Sequence, residues 1–101
     1  MIDKQKQLTY FANFIIQSYS TSKKLRGLTS FWREENHTAC LSFYFDGPIS
    51  EKDLDDAYEI GAGIIANFSD GLLEENYIQW DYPKPLPTKF LAYKREEAHE
   101  G

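Results

Sequence analysis

The sequence predicts an α+β fold of order αββαββ, a four-stranded, mostly antiparallel sheet packed by two helices. Three observations carry this expectation. Residues 50–68, SEKDLDDAYEIGAGIIANF, read as one amphipathic helix in the middle of the chain. A β-hairpin pattern lies on each side of it. A second amphipathic stretch opens the chain, so two helices are available to cover one sheet.

In residues 3–19, Leu8, Phe11, Ile15 and Tyr19 recur at three- and four-residue steps with Phe14 beside them, the stripe of a helix lying on a core. The polar, basic residues 20–27, STSKKLRG, follow as a connecting loop, because Ser and Thr bond locally to backbone and compete with helix. Residues 27–33 form a short strand. In residues 38–46, Ala39, Leu41, Phe43 and Phe45 alternate with Cys40, Ser42, Tyr44 and Asp46, and the first set is expected to face the core. Glu34, Glu35, Asn36 and His37 have turn composition, so these two strands form a hairpin with His37 as an exposed turn residue.

Gly47-Pro48 breaks the strand, and Ser50 with Asp53 three residues on makes a capping-box-like helix start. The stripe of this second helix is Leu54, Ala57, Gly61, Ile64 and Phe68, with Ile65 alongside, and Gly71 suits a left-handed cap after it. Residues 74–82 alternate Ile78, Trp80 and Tyr82 against Tyr77, Gln79 and Asp81, as a third strand does. PKPLP then makes a rigid, partly polyproline-like link, since proline has no donor. Residues 88–94 resume alternation as the fourth strand. The expectation is one domain, residues 1–101, with residues 96–101 as a frayed tail.

Hydrophobic residues at 42% and aromatics at 16% are globular values, which excludes a disordered chain. No apolar run approaches the roughly 18 residues of a membrane span, and MIDKQKQLTY lacks the pattern of a signal peptide, so the cytoplasm is the expected location. Cys40 is the only cysteine, which excludes an internal disulfide and disfavours a cysteine zinc site.

The formal charge of −5 argues against a direct nucleic-acid binder. Its distribution says more. Residues 46–81 hold ten acids against Lys52 alone, a net −9, and the remainder is +4. Carboxylates in the first half of the second helix complement its dipole, which accounts for part of this acidity. A divalent-cation loop is not indicated, because DLDD lacks the glycine turn and terminal Glu of an EF-hand. Gly61, Gly63 and Ala66 formally match a dinucleotide fingerprint, yet that motif needs a strand and a turn where this sequence has a helix interior. Close approach of helix to sheet at Gly61, with Gly63 a tolerated weak spot, is the better account. No nucleophile stands beside a base: Cys40 reads as an inert thiol, His37 as a turn residue and His99 as part of the tail.

What remains is a surface. Asp46, Asp53, Asp55, Asp56, Glu59, Asp70, Glu74, Glu75 and Tyr77 are expected on one side, beside Tyr44, Trp80 and Tyr82, where acids steer a basic protein partner and aromatics anchor it. Trp80 and Tyr82 suit either an anchor role or the core.

The S-x-x-D-L-D-D helix start, the strand ending in Tyr82-Pro83, the PKPLP link and the closing FLAYKRE, in the αββαββ order, resemble small bacterial immunity proteins, especially those of contact-dependent growth inhibition systems. The likeness covers the last half of the chain. It implies a protein that is not an enzyme, needs no cofactor or metal, and neutralises the C-terminal domain of a cognate toxin in a one-to-one complex. An acidic surface that imitates phosphates before a basic nuclease groove fits that role. The alternative is a small regulatory or adaptor domain unrelated to toxins. A small hydrolase is a third class, and it requires a cleft joining His37 or Cys40 to carboxylates.

Overall fold

The computed structural model describes residues 3–19 and 23–97. The elements run α1 (Lys4–Gln17), β1 (Leu25–Arg33), a 3-10 turn (Glu34–Asn36), β2 (Thr38–Phe45), α2 (Glu51–Ile65), β3 (Leu72–Gln79) and β4 (Leu91–Lys94). The strands form one sheet in the order β3-β2-β1-β4. β1 pairs antiparallel with β2 and β4, while β2 and β3 run parallel. Two helices on a mostly antiparallel four-stranded sheet are thus what the chain forms.

The first hairpin is present, closed by the 3-10 turn and by His37, which is exposed and left-handed at φ 52. The second hairpin is absent. β3 and β4 occupy opposite edges, and α2 is the crossover that joins two parallel neighbours, which a tight turn cannot do. The proline-rich segment after β3 instead crosses the face away from the helices. There Trp80 meets the Tyr44 ring edge-on at 5.6 Å and Phe90 packs on Phe31 at 4.9 Å. Trp80 is therefore neither a central core residue nor a free anchor, whereas Tyr82 is exposed.

Ala39, Leu41, Phe43 and Phe45 of β2 do face the core, with Leu28 and Trp32 of β1 beside them. α1 and α2 cover this face. α1 contributes Leu8, Ala12 and Ile16, a line at steps of four, with Phe11 and Ile15 half-buried at its flank. Phe14 and Tyr19 are exposed, because the buried line runs through Leu8, Ala12 and Ile16 and leaves them off it.

α2 starts as the capping box requires: Ser50 Oγ accepts from the Asp53 amide at 3.2 Å, and Asp53 Oδ2 accepts from the Ser50 amide at 2.9 Å. Such a cap stabilises by about 1 kcal/mol. Its buried face is Asp53, Ala57, Ile60, Gly61 and Ile64, continued by Phe68, with Leu54 only half-buried. The helix ends at Ile65 with a right-handed cap at Ala66, so Gly71 is not the left-handed cap the sequence suggested. Gly71 answers a different need, since a Cβ there would lie 2.9 Å from Ile65 Cδ1.

β1 begins at Leu25, two residues before the expected strand start, because Leu25 and Arg26 are both buried. Arg26 donates to both Glu97 carboxylate oxygens and to the Trp80 and Lys84 carbonyls. This ties down Glu97, which the sequence placed in a frayed tail; residues 98–101 lie outside the described residues.

Candidate functional site

The nine residues expected to meet a partner lie on or beside α2 and β3, and the structure sorts them into three groups. Four are ion-paired. Asp46 holds Arg95 at 2.9 Å, Asp53 holds Lys24 at 2.8 Å, Asp56 holds Lys52 at 3.1 Å one helical turn away, and Glu74 holds Arg33 at 3.2 Å. Asp53 is the extreme case at 3% exposure. Burial pushes its carboxyl upward, but the Lys24 ammonium and the Ser50 amide and hydroxyl outweigh burial and hold it below the usual carboxylate range. The Arg95 guanidinium, followed by the Tyr82 amide, likewise holds Asp46 low.

Asp55, Glu59 and Asp70 form the second group, exposed and in no ion pair among the described residues. Glu75 and Tyr77 of β3 form the third. Both point under α2 and are half-buried. The Tyr77 hydroxyl donates to Glu75 Oε1, while Glu75 Oε2 is buried with no partner among the described residues. Burial pushes the Glu75 carboxyl above its ordinary value, against the pull of the Tyr77 hydrogen bond. Gly61 is what admits this carboxylate: a Cβ there would collide with Glu75 Oε2 and lie 3.3 Å from Leu73 Cδ2. The close approach expected at Gly61 is therefore real. Gly63 has its own reason, because a Cβ there would meet Ile15 of α1 at 3.2 Å.

The nine do not make one compact patch. Asp46 follows β2 and Asp70 precedes β3, so they stand at opposite ends of parallel strands, about 25 Å apart. Glu74 projects from the face opposite the helices, and the Glu59 carbonyl accepts from Tyr19 beyond α1 at 3.4 Å. What the fold does bring together is a band along β3. Glu51, Asp55 and Tyr58 share one side of α2 at steps of four and three, and the Tyr58 ring meets Tyr77 edge-on at 5.7 Å. Glu51 and Tyr58 were not among the nine. Their spacing from Asp55 was readable, but nothing in sequence says that Tyr58 of α2 reaches Tyr77 of β3. Leu72, 61% exposed, completes the band at its far end.

Cys40 is partly buried, which raises its thiol pKa despite Arg33 nearby; the Glu74 carboxylate beside it raises the thiol further, and its Sγ donates to the Thr38 carbonyl at 4.0 Å. His37 packs against the Trp32 ring in the exposed turn. Among the described residues there is no group of three or more His, Cys, Asp or Glu able to hold a metal ion, and no helix is long and apolar enough to cross a membrane. The glycines of the dinucleotide-like motif lie inside α2, with no strand or turn before them.

An acidic, aromatic-flanked sheet edge is the kind of surface that small protein-binding domains present. Comparison with protein families makes it specific: residues 20–97 match the MafI2 immunity protein, and the chain belongs to that family. No curated protein matches it. It is thus a bacterial immunity protein with a toxin-neutralising role, and the match to MafI2 does not single out the contact-dependent growth inhibition branch.

Proposed function

We propose that this chain works in the cytoplasm as a single folded unit of 101 residues, a non-enzymatic inhibitor without cofactor that binds the C-terminal domain of its cognate toxin one to one. The toxin domain is a basic nuclease, and the acidic surface covers its active site. Family membership supports the class of partner. The observation that supports the chemistry is the concentration of carboxylates along α2 and β3, because a groove that holds a phosphate backbone is cationic and carboxylates reproduce that charge.

The contact set follows from the pairing. Asp55, Glu59 and Asp70 meet the toxin directly. Asp56 and Glu74 exchange Lys52 and Arg33 for bases of the toxin, which costs little at exposed pairs. Glu75 and Tyr77 act from the β3 edge. Asp46 and Asp53 add to the field while holding Arg95 and Lys24.

The test is the double variant Asp55→Lys with Asp56→Lys, titrated against a candidate toxin domain sought beside this chain's gene. Weaker binding with a shallower salt dependence is expected. Unchanged affinity and unchanged salt dependence would refute the acidic-helix account. A regulatory domain of the same fold would bind an ordinary cellular protein and leave that toxin untouched.

A further inference from the structure

We infer that the toxin domain docks by laying an extended basic strand along the open edge of β3, extending the sheet by one strand. This deepens the proposed function and rests on it. Two hydrogen bonds fix the geometry: the Leu72 amide donates to the His37 carbonyl at 2.9 Å, and the Trp80 amide donates to the Phe45 carbonyl at 2.6 Å. In a parallel ladder the N–H and C=O of one residue point the same way and alternate along the strand. Leu72, Glu74, Asn76 and Ile78 therefore bond to β2, and Leu73, Glu75, Tyr77 and Gln79 direct their amides and carbonyls outward. No described element lies beyond β3.

Sheet edges invite pairing, and proteins blunt them with lysine, proline, bulges or a covering element. β3 has no lysine, proline, bulge or covering element among the described residues; the charges it carries, Glu74 and the inward-pointing Glu75, are acidic and deter an acidic strand, not a basic one. Its register with β2 is continuous over all eight residues, and residues 70–79 contain no Lys, Arg or Pro. A flat edge of this length can bind a strand through its backbone, with the flanking side chains choosing which strand.

Those side chains select a basic one. Glu75, Tyr77 and Tyr58 border the edge on the helix side, and Glu74 and Leu72 on the other. A second copy of this chain is the wrong occupant, because pairing two β3 edges would set Glu74 and Glu75 against acids of the same kind. A toxin strand carrying Lys or Arg finds acids on both faces of the extended sheet. Main-chain pairing then supplies register, and charge supplies partner choice.

The test is amide hydrogen exchange of the full chain, alone and with an inactivated candidate toxin domain sought beside this chain's gene, together with affinities for Gln79→Pro and Gln79→Ala. Proline removes an outward donor and spares the bonds to β2, so the fold should persist. Slowing of exchange at Leu73, Glu75, Tyr77 and Gln79 in the complex is expected. Gln79→Pro should lose affinity by about tenfold or more, with Gln79→Ala near wild type. If the four amides exchange as fast in the complex as in the free chain, the strand-addition inference falls while toxin binding stands. If wild type does not bind that toxin domain, the functional reading itself fails and takes this inference with it. Should Gln79→Pro not fold, the exchange measurement on wild type decides alone.

Discussion

The two edges of the sheet are built on opposite plans. At the β4 edge the strand is four residues long, and side chains of α1 complete the bonding where it stops. Gln5 Oε1 accepts from the Trp32 amide at 2.8 Å and Gln5 Nε2 donates to the Ser30 carbonyl at 2.8 Å, so one side-chain amide replaces a strand; Asn13 donates to the Ala92 carbonyl at 2.8 Å. Arg26 and Glu97 then lock the chain that follows. At the β3 edge the strand is twice as long and no described residue covers it. Where backbone groups are satisfied internally, substitution should cost stability; where they are left open, it should cost binding.

The largest stability effect is expected on the closed side. Arg26→Ala leaves two carbonyls without their donor and Glu97 with Arg95 alone, so chemical denaturation should show a loss of about 3 kcal/mol. Gln5→Ala orphans the Trp32 amide and the Ser30 carbonyl, and about 2 kcal/mol should go in the same assay. A loss near zero for both would erase the contrast between the edges.

The open side should behave differently, and pH separates the two. Arg26, through its hydrogen bonds, holds Glu97 below its ordinary value, and Asp53 is also held low, so both contribute stability that is fully present above their unfolded values near 4.5 and 3.8 and is lost as pH falls through the lower folded values. Glu75 has the reverse sign. Its raised folded value means that its contribution is present below about 4.5 and lost as pH rises through the folded pKa. Glu75→Gln should therefore be more stable than wild type at pH 7, by about 1 kcal/mol, and equal to it at pH 4. Thermal unfolding at the two pH values reads the difference. An advantage that persists at pH 4 would assign the effect to packing instead of charge.

Much of this architecture was legible. Ser50 and Asp53 announced the start of α2, and the alternation of Ala39, Leu41, Phe43 and Phe45 announced β2, because each signal is local. The parallel pairing of β2 with β3 was not, since element order αββαββ does not say which strands become neighbours. The third strand was expected at residues 74–82 and stands at Leu72–Gln79, because Trp80 and Tyr82 keep the alternation after pairing with β2 ends at Phe45. For the site, the acidic helix was visible but its internal division was not. Asp53 looks like any surface acid until Lys24, 29 positions earlier, is brought to it by the fold. Glu75 reads as exposed until Gly61 places α2 over it.

The central claim is that the toxin meets the α2–β3 side. The most direct measurement compares dissociation constants of the toxin domain for Glu51→Lys with Asp55→Lys, and for Tyr10→Ala with Phe14→Ala, the latter a stacked, exposed aromatic pair on α1. The account predicts that the charge reversal weakens binding by about tenfold or more at low salt, less at high salt, and that the α1 pair leaves it unchanged. Binding that survives the charge reversal and is lost with Tyr10 and Phe14 would contradict it.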